Sequence, residues 1–333
     1  MSKLPLVRML TYQDLGIYPS ATRAVEAAIG RIVRKLVSLF DPIEALVAEY
    51  DRRQELEDTE EVDGDDEPVA HTAEQDCLHR GFLELVKWIP SVRTALVTLA
   101  PGELADLYAK LAKGANGDDV NSVRAAMVEF IGKGAKDPLV ATSRHNRGLE
   151  SDVTGPLLFP VEYDYSDPEI RAKVINGDPD FPVTADSWPR SLYQNGVYDP
   201  TDGEKGLFKS LSLLQTYLHI FTSPKSAVKL ETDAEQPETE NIPPSEPPRK
   251  KRKVTQVGKK SVAAKVSMRR VTPRSIAYAA VHHRFALSDA PQWNETDGAF
   301  DYILYYNNIV DWFEDAPGPV AQKTVDDLLA WWD

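Results

Sequence analysis

Apolar residues recur at three- and four-residue intervals along much of the chain, and the places where that rhythm stops divide it. Val25, Ile29, Ile32, Val33, Leu36, Val37 and Phe40 keep a helical period behind Ser20, which is placed to cap it. Asp41-Pro42 then restarts a helix, with aspartate at the cap, proline in the first turn and Ile43, Leu46, Val47 and Tyr50 on the apolar face. Periodicity returns with Leu78, Phe82, Leu85, Val86 and Ile89 and stops at Pro90. Further helices are predicted near 91–99, 102–113 and 119–132, the last with Val120, Val123, Met127, Phe130 and Ile131 on one face. Residues 1–140 therefore read as a helical bundle, interrupted by an acidic loop over 55–70.

The character changes over 137–203, where prolines fall at 138, 156, 160, 168, 179, 182, 189 and 200 among aromatics and aspartates. Proline fixes φ and removes a backbone donor, so long regular elements are not expected there. The aromatics Phe159, Tyr163, Tyr165, Phe181, Trp188, Tyr193 and Tyr198 would pin an irregular wrap to a surface. A strong helix follows through Leu207, Phe208, Leu211, Leu214, Leu218 and Phe221 and ends at Ser223-Pro224. Residues 141–228 thus read as a wrap plus a long helix packed on the bundle. The stretch 229–270, acidic first and basic afterwards, reads as a disordered linker. Thr272-Pro273-Arg274-Ser275 starts a helix carrying Ile276, Ala279, Ala280, His283, Phe285 and Leu287, and closing helices are predicted near 298–314 and 322–332. Tyr302, Tyr306, Trp312, Phe313, Trp331 and Trp332 make that tail aromatic enough to dock 271–333 on the same core. The fold class is mainly α, with a two-domain split near residue 140 as the alternative. No internal repeat of fixed period occurs.

Charge changes the functional picture. The net charge is −14, yet Arg249 to Arg274 holds eleven cations and no acid, so the rest of the chain carries about −25. A body that acidic is repelled by phosphate, and nucleic-acid contact would have to run through the basic tract. Between Glu55 and Glu67, nine of thirteen residues are acidic, which is why that stretch reads as a solvated loop. The one cysteine, Cys77, rules out an intrachain disulfide and a cysteine-based zinc site and fits a reducing compartment. Its place beside Leu78 and near Phe82 predicts a buried, inert thiol. Arg8, Gln13 and Asp14 interrupt the N-terminal apolar residues, so no signal peptide is expected, and no run of eighteen apolar residues predicts a membrane span.

The sharpest motif is Pro248-Arg249-Lys250-Lys251-Arg252-Lys253-Val254. Five consecutive cations in an extended, proline-flanked segment match the acidic, tryptophan-lined groove of a nuclear import receptor, where lysine stems lie on indoles and ammonium groups meet carboxylates. Arg249, Lys250, Lys251, Arg252 and Lys253 are thus assigned as an import signal, with a charged linker as the plainer reading. Lys259-Lys260 and Arg269-Arg270 could extend the contact to nucleic-acid phosphate, but no aromatic residue interleaves the tract, so base stacking is absent.

Other candidates are weaker. Asp164, Asp167, Asp178, Asp180 and Asp186 could surround a divalent metal, but aspartate beside proline is ordinary turn chemistry. The six histidines, His71, His79, His145, His219, His282 and His283, show no chelating spacing; His282 and His283 point about 100° apart on a helix. Neither a G-x-S-x-G turn nor a phosphate-binding glycine loop is present. No catalytic, cofactor-binding or metal-binding residue is assigned, and no cofactor is expected. Ser223-Pro224 and Thr272-Pro273 fit the minimal pattern of proline-directed kinases and read equally as a helix stop and a helix start.

A longer pattern runs through the chain from about residue 145. It comprises Arg147-Gly148-Leu149, Val153-Thr154-Gly155, Leu157-Leu158-Phe159-Pro160, Asp178-Pro179-Asp180-Phe181, Thr184-Ala185-Asp186-Ser187-Trp188-Pro189, Leu192-Tyr193 and Lys205-Gly206-Leu207-Phe208. It continues with His219-Ile220-Phe221-Thr222-Ser223-Pro224, Ser275-Ile276-Ala277-Tyr278, Arg284-Phe285-Ala286-Leu287-Ser288 and Trp331-Trp332. In these segments the chain resembles a family of uncharacterised proteins multiplied in the genomes of mushroom-forming basidiomycete fungi. The resemblance implies a source and a fold unit, and no activity.

The expected function is that of a nuclear, non-enzymatic interaction or scaffold protein, with an import receptor and unidentified proteins as partners and no membrane contact. Cytoplasmic residence is the alternative to the nucleus. Two other readings stand beside it: a chromatin- or nucleic-acid-associated factor touching phosphate through 249–274, and an enzyme built on the aspartates of 164–186.

Overall fold

The computed structural model describes residues 30–60, 70–112, 117–228, 261–265 and 268–333. These are mainly helical, as the apolar periodicity implies, and the strands among the described residues form one short hairpin, Thr296–Asp297 with Phe300–Asp301. Two compact units share them. One takes its residues from Met1–Asp118, Val271–Tyr278 and Asp301–Asp333, the other from Asp119–Arg270 and Ala279–Phe300. No described helix is long and apolar enough to cross a membrane.

In the first unit, the helices Ile43–Glu60 and Ala73–Trp88 pack through Ile43, Leu46, Val47, Phe82 and Leu85, with Tyr50 stacked on Phe82 at 4.1 Å between ring centroids. Thr72 and Gln75 form a reciprocal capping box at the start of the second of these helices. Ser91–Thr98 and Pro101–Leu111 extend the core with Val92, Ala95, Leu107 and Leu111. The helical period expected to run from Ser20 to Phe40 ends at Val37 in a π-helical turn, while residues 20–29 lie outside the described set. Ser38 Oγ stops it by accepting the Phe40 and Asp41 amides. Glu55–Glu60, expected in an acidic loop, instead continue the Ile43–Glu60 helix, because glutamate is a good helix former and the apolar face is already packed; 61–69 lie outside the described residues.

The tail of this unit is the helix Tyr302–Glu314, whose cap Asp301 accepts the Ile303 and Leu304 amides, followed by Gly318–Trp332. Arg274, 1% exposed, makes two 2.8 Å bonds to the Glu314 carboxylate and donates to the Val37 carbonyl. A buried guanidinium of this kind is stable only with every donor engaged, and it fixes where three segments meet. Cys77 is buried with its Sγ 3.9 Å from Asn307 Oδ1, and burial pushes its thiol up to about 11.

The second unit is largely irregular. Backbone bonds from Val161 N to Trp188 O and from Arg190 N to Phe159 O stitch the proline-rich segment across an isolated bridge, Pro160 with Pro189. Phe159 meets Tyr165 edge-on at 5.1 Å and Trp188 meets Phe208 at 5.7 Å, so the aromatics hold the wrap in place of a helix or sheet ladder. Within it, Asp167 caps a helix of eight residues, Pro168–Ile175, short as the proline density implies. The helix expected from Leu207 begins at Leu211 instead, because Phe208, fully buried, takes φ +56° and Ser210 provides the cap. Similarly, the helix expected from 298 begins at Tyr302. Gly298, at φ +62°, turns the preceding hairpin, as a two-residue loop of that type requires.

Candidate functional site

In the second unit, four pieces of chain surround a cleft of about 480 Å³. They are the loop after Arg147, the end of the Pro168–Ile175 helix with the turn that follows it, the C-terminal end of the Pro273–Leu287 helix, and the 297–299 turn. Four of the segments quoted for the family resemblance meet here: Arg147-Gly148-Leu149, Leu157-Leu158-Phe159-Pro160, Asp178-Pro179-Asp180-Phe181 and Arg284-Phe285-Ala286-Leu287-Ser288.

One wall is built on a helix end. The last carbonyls of a helix have no partner within it and carry the negative end of its dipole, which favours a cation. Arg147, 4% exposed, donates Nη1 to the Ala286 carbonyl near that end, Nη2 to the carbonyls of Arg124 at 2.8 Å and Val140 at 3.3 Å, and Nε to Ser143 at 3.2 Å. Four carbonyls thus take the place of a carboxylate. Burial, with Arg124 close by, lowers the guanidinium to about 10, which leaves it charged at neutral pH. The neighbouring Gly148 amide bonds the Leu287 carbonyl at 2.9 Å, and Ser288 Oγ bonds that of Phe285 at 3.0 Å. Asn146 and Gly148 bracket Arg147 in left-handed conformations, φ +53° and +87°. At Gly148 a Cβ would fall 2.8 Å from Asp289 Oδ1, so glycine is required for space as well as for φ.

The same helix end carries a second buried cation. Arg284, also 4% exposed, lies over the Phe300 ring with its guanidinium carbon 3.3 Å from the centroid, and its Nη1 is 3.4 Å from Asp297 Oδ2. Both arginines are therefore committed to holding the cleft's frame. Glu150, Asp178 and Asp289 also line it and have no cationic partner among the described residues. Leu158 and Val174, both buried, form the floor with Ile175, Phe181 and Val183. The cleft is thus apolar at its base and negative at its edge.

Of the aspartates considered for a metal, Asp164, Asp167 and Asp178 accept backbone amides instead, Asp186 accepts a side-chain hydroxyl, and Asp180 is exposed. Asp164 Oδ1 accepts the amide and hydroxyl of Ser166, which lowers its pKa. Asp167 caps its helix, Asp178 Oδ1 accepts the Asp180 amide, and Asp186 pairs with Thr184. Among the described residues no group of three histidine, cysteine or acidic side chains is placed to hold a metal ion.

The histidines are dispersed. His71 and His79 lie against Arg52 and Arg53, His145 against Asp137, and His282 is stacked on Trp293. His219 Nε2 meets Ser122 Oγ at 2.6 Å. Sequence spacing gave no sign of the pair formed by fully buried His283, whose Nε2 is 2.9 Å from Ser212 Oγ, because 71 residues separate the two. Ser212 Oγ lies 3.0 Å from Ser210 Oγ in turn. Burial lowers His283 to about 3, so it is neutral at physiological pH, and its Nδ1 has no orienting carboxylate among the described residues. That arrangement supplies a hydrogen bond rather than an activated nucleophile.

The import-type residues Arg249, Lys250, Lys251, Arg252 and Lys253 lie outside the described residues. At the far end of the basic tract, Arg269 and Arg270 are exposed, whereas Arg274 is buried on Glu314 and is not available to phosphate. The tract considered for nucleic-acid contact therefore loses its last cation.

Among known proteins, residues 110–333 match the sequence model of a family described as a family of unknown function, DUF6698. No curated protein and no solved structure matches the chain.

Proposed function

The chain belongs to the DUF6698 family, and on that premise we propose that it is a nuclear, non-enzymatic interaction or scaffold protein whose partner-binding surface is the cleft of the second unit. The observation that carries this reading is the division of labour around the cleft. Its buried arginines brace the walls, and what remains is an apolar floor edged by Glu150, Asp178 and Asp289, carboxylates with no cation bound to them among the described residues. A concave, preformed site of this size suits recognition, since it holds a few side chains of a ligand. The nuclear part of the proposal rests on the five-cation tract, and the proposed source is a mushroom-forming basidiomycete, as the resemblance implies.

Affinity capture from nuclei of the source organism tests the reading when wild type is compared with Ala299→Trp. Ala299 is exposed and lines the cleft, so the indole fills the site without disturbing the core. A set of proteins retained by wild type and lost from the variant supports the proposal. Identical retention by both places the interaction surface elsewhere and overturns it.

A further inference from the structure

We propose that the cleft docks a lysine-rich segment of a partner protein, with the lysine stems on the apolar floor and the ammonium groups on the rim carboxylates. This rests on the cleft being the partner-binding surface. The charge argument comes first. Arg147 has its donors on backbone carbonyls and Arg284 faces Asp297, so neither is needed to neutralise Glu150, Asp178 or Asp289. An acidic partner would meet like charge along the whole rim, whereas a basic one is steered in.

The spacing then selects the kind of cation. Glu150, Asp178 and Asp289 come from three different stretches of the lining, so the rim charge is divided among them. Spread carboxylates fit several separated ammonium groups better than one point charge. The floor selects the stem: lysine covers apolar surface with its methylenes while its head stays at the polar edge.

Fluorescence anisotropy with fluorescein-labelled hexalysine and the full chain, at about 50 mM salt, tests the inference. Glu150→Gln with Asp178→Asn and Asp289→Asn removes three cleft charges. Asp315→Asn with Asp326→Asn and Asp327→Asn removes three exposed charges from the first unit, so the two variants have the same net charge. The amides keep the shapes, including the acceptor that Asp178 offers to the Asp180 amide, and an unchanged melting temperature checks that both fold.

The cleft variant and Ala299→Trp should bind hexalysine about tenfold or more weakly than wild type, while the first-unit variant changes by about twofold or less. Equal losses in the two triple variants would reduce the binding to general charge attraction and overturn the inference. Equal displacement by spermine at matched charge would overturn it in favour of a small polyamine. Cleft-dependent binding of a glycine-serine or glutamate peptide in preference to hexalysine would overturn the basic assignment while leaving the interaction reading intact.

Discussion

Replacing Arg147 with methionine keeps roughly its length and removes four donated hydrogen bonds at once. The carbonyls of Arg124, Val140, Ser143 and Ala286 then lose their shared partner in a site where the guanidinium is 4% exposed. Each hydrogen bond from a charged donor contributes about 1.5–3 kcal/mol, but recovery of the guanidinium's desolvation cost offsets part of the sum. No charge is left behind, but each buried carbonyl without a partner costs about 1–3 kcal/mol, which after that offset leaves a net loss of about 3–5 kcal/mol. For a unit of this size each kcal/mol shifts the midpoint by about 2–4 °C, so the loss is of the order of 10 °C. Arg147→Lys should fall between the two, because a single ammonium keeps the charge at the helix end but cannot span four carbonyls. Urea unfolding of the full chain followed by tryptophan fluorescence reads the effect. A change below about 0.5 kcal/mol in Arg147→Met would refute the argument that this cation holds the wall of the cleft.

Gly148→Ala forces a side chain into φ +87° and against Asp289, and should cost about 2–3 kcal/mol. Adding Asp289→Ala should return only the contact part, and full recovery in urea titration would contradict the backbone argument. His283 is held neutral with its pKa near 3, below the ordinary 6.5, so its stabilising contribution is complete above pH 6.5 and falls as pH drops toward 3. Between pH 6.5 and 5 the wild type should lose about 2 kcal/mol that His283→Gln does not, and parallel stability curves for the two would count against it. Lys250→Ala with Lys251→Ala, on a large fluorescent fusion, should move the protein to the cytoplasm with its melting temperature unchanged, since losing a buried charge pair costs about 2–5 kcal/mol of receptor affinity. Undiminished nuclear accumulation would make the tract a charged linker.

Local chemistry was legible in the sequence and long-range pairing was not. Asp41-Pro42, Thr272-Pro273 and the stops at Pro90 and Ser223-Pro224 mark helix boundaries because caps and prolines act within a turn. The same signal stands at Asp167-Pro168, where the density of neighbouring prolines obscured a real helix start. Two starts were placed too early, at Leu207 and at 298, because apolar period alone does not register a left-handed residue such as Phe208 or a glycine-turned hairpin. The turn role of the aspartates followed from their prolines and serines. The cleft could not be foreseen: Arg147 and Ala286 are 139 residues apart, and neither their pairing nor the convergence of Asp178 and Asp289 leaves a periodic trace. What could have been found was a lone arginine between Asn146 and Gly148, two residue types that tolerate left-handed backbone and so mark a shaped loop.

Hydrogen exchange of the full chain with and without saturating hexalysine tests the central claim most directly, because it reports where a partner sits without relying on a substitution. The account expects slowed exchange concentrated in 147–150, 175–183, 288–289 and 297–299, the four stretches that edge the cleft. Protection confined to other segments, or spread evenly over the acidic surface of both units, would contradict it.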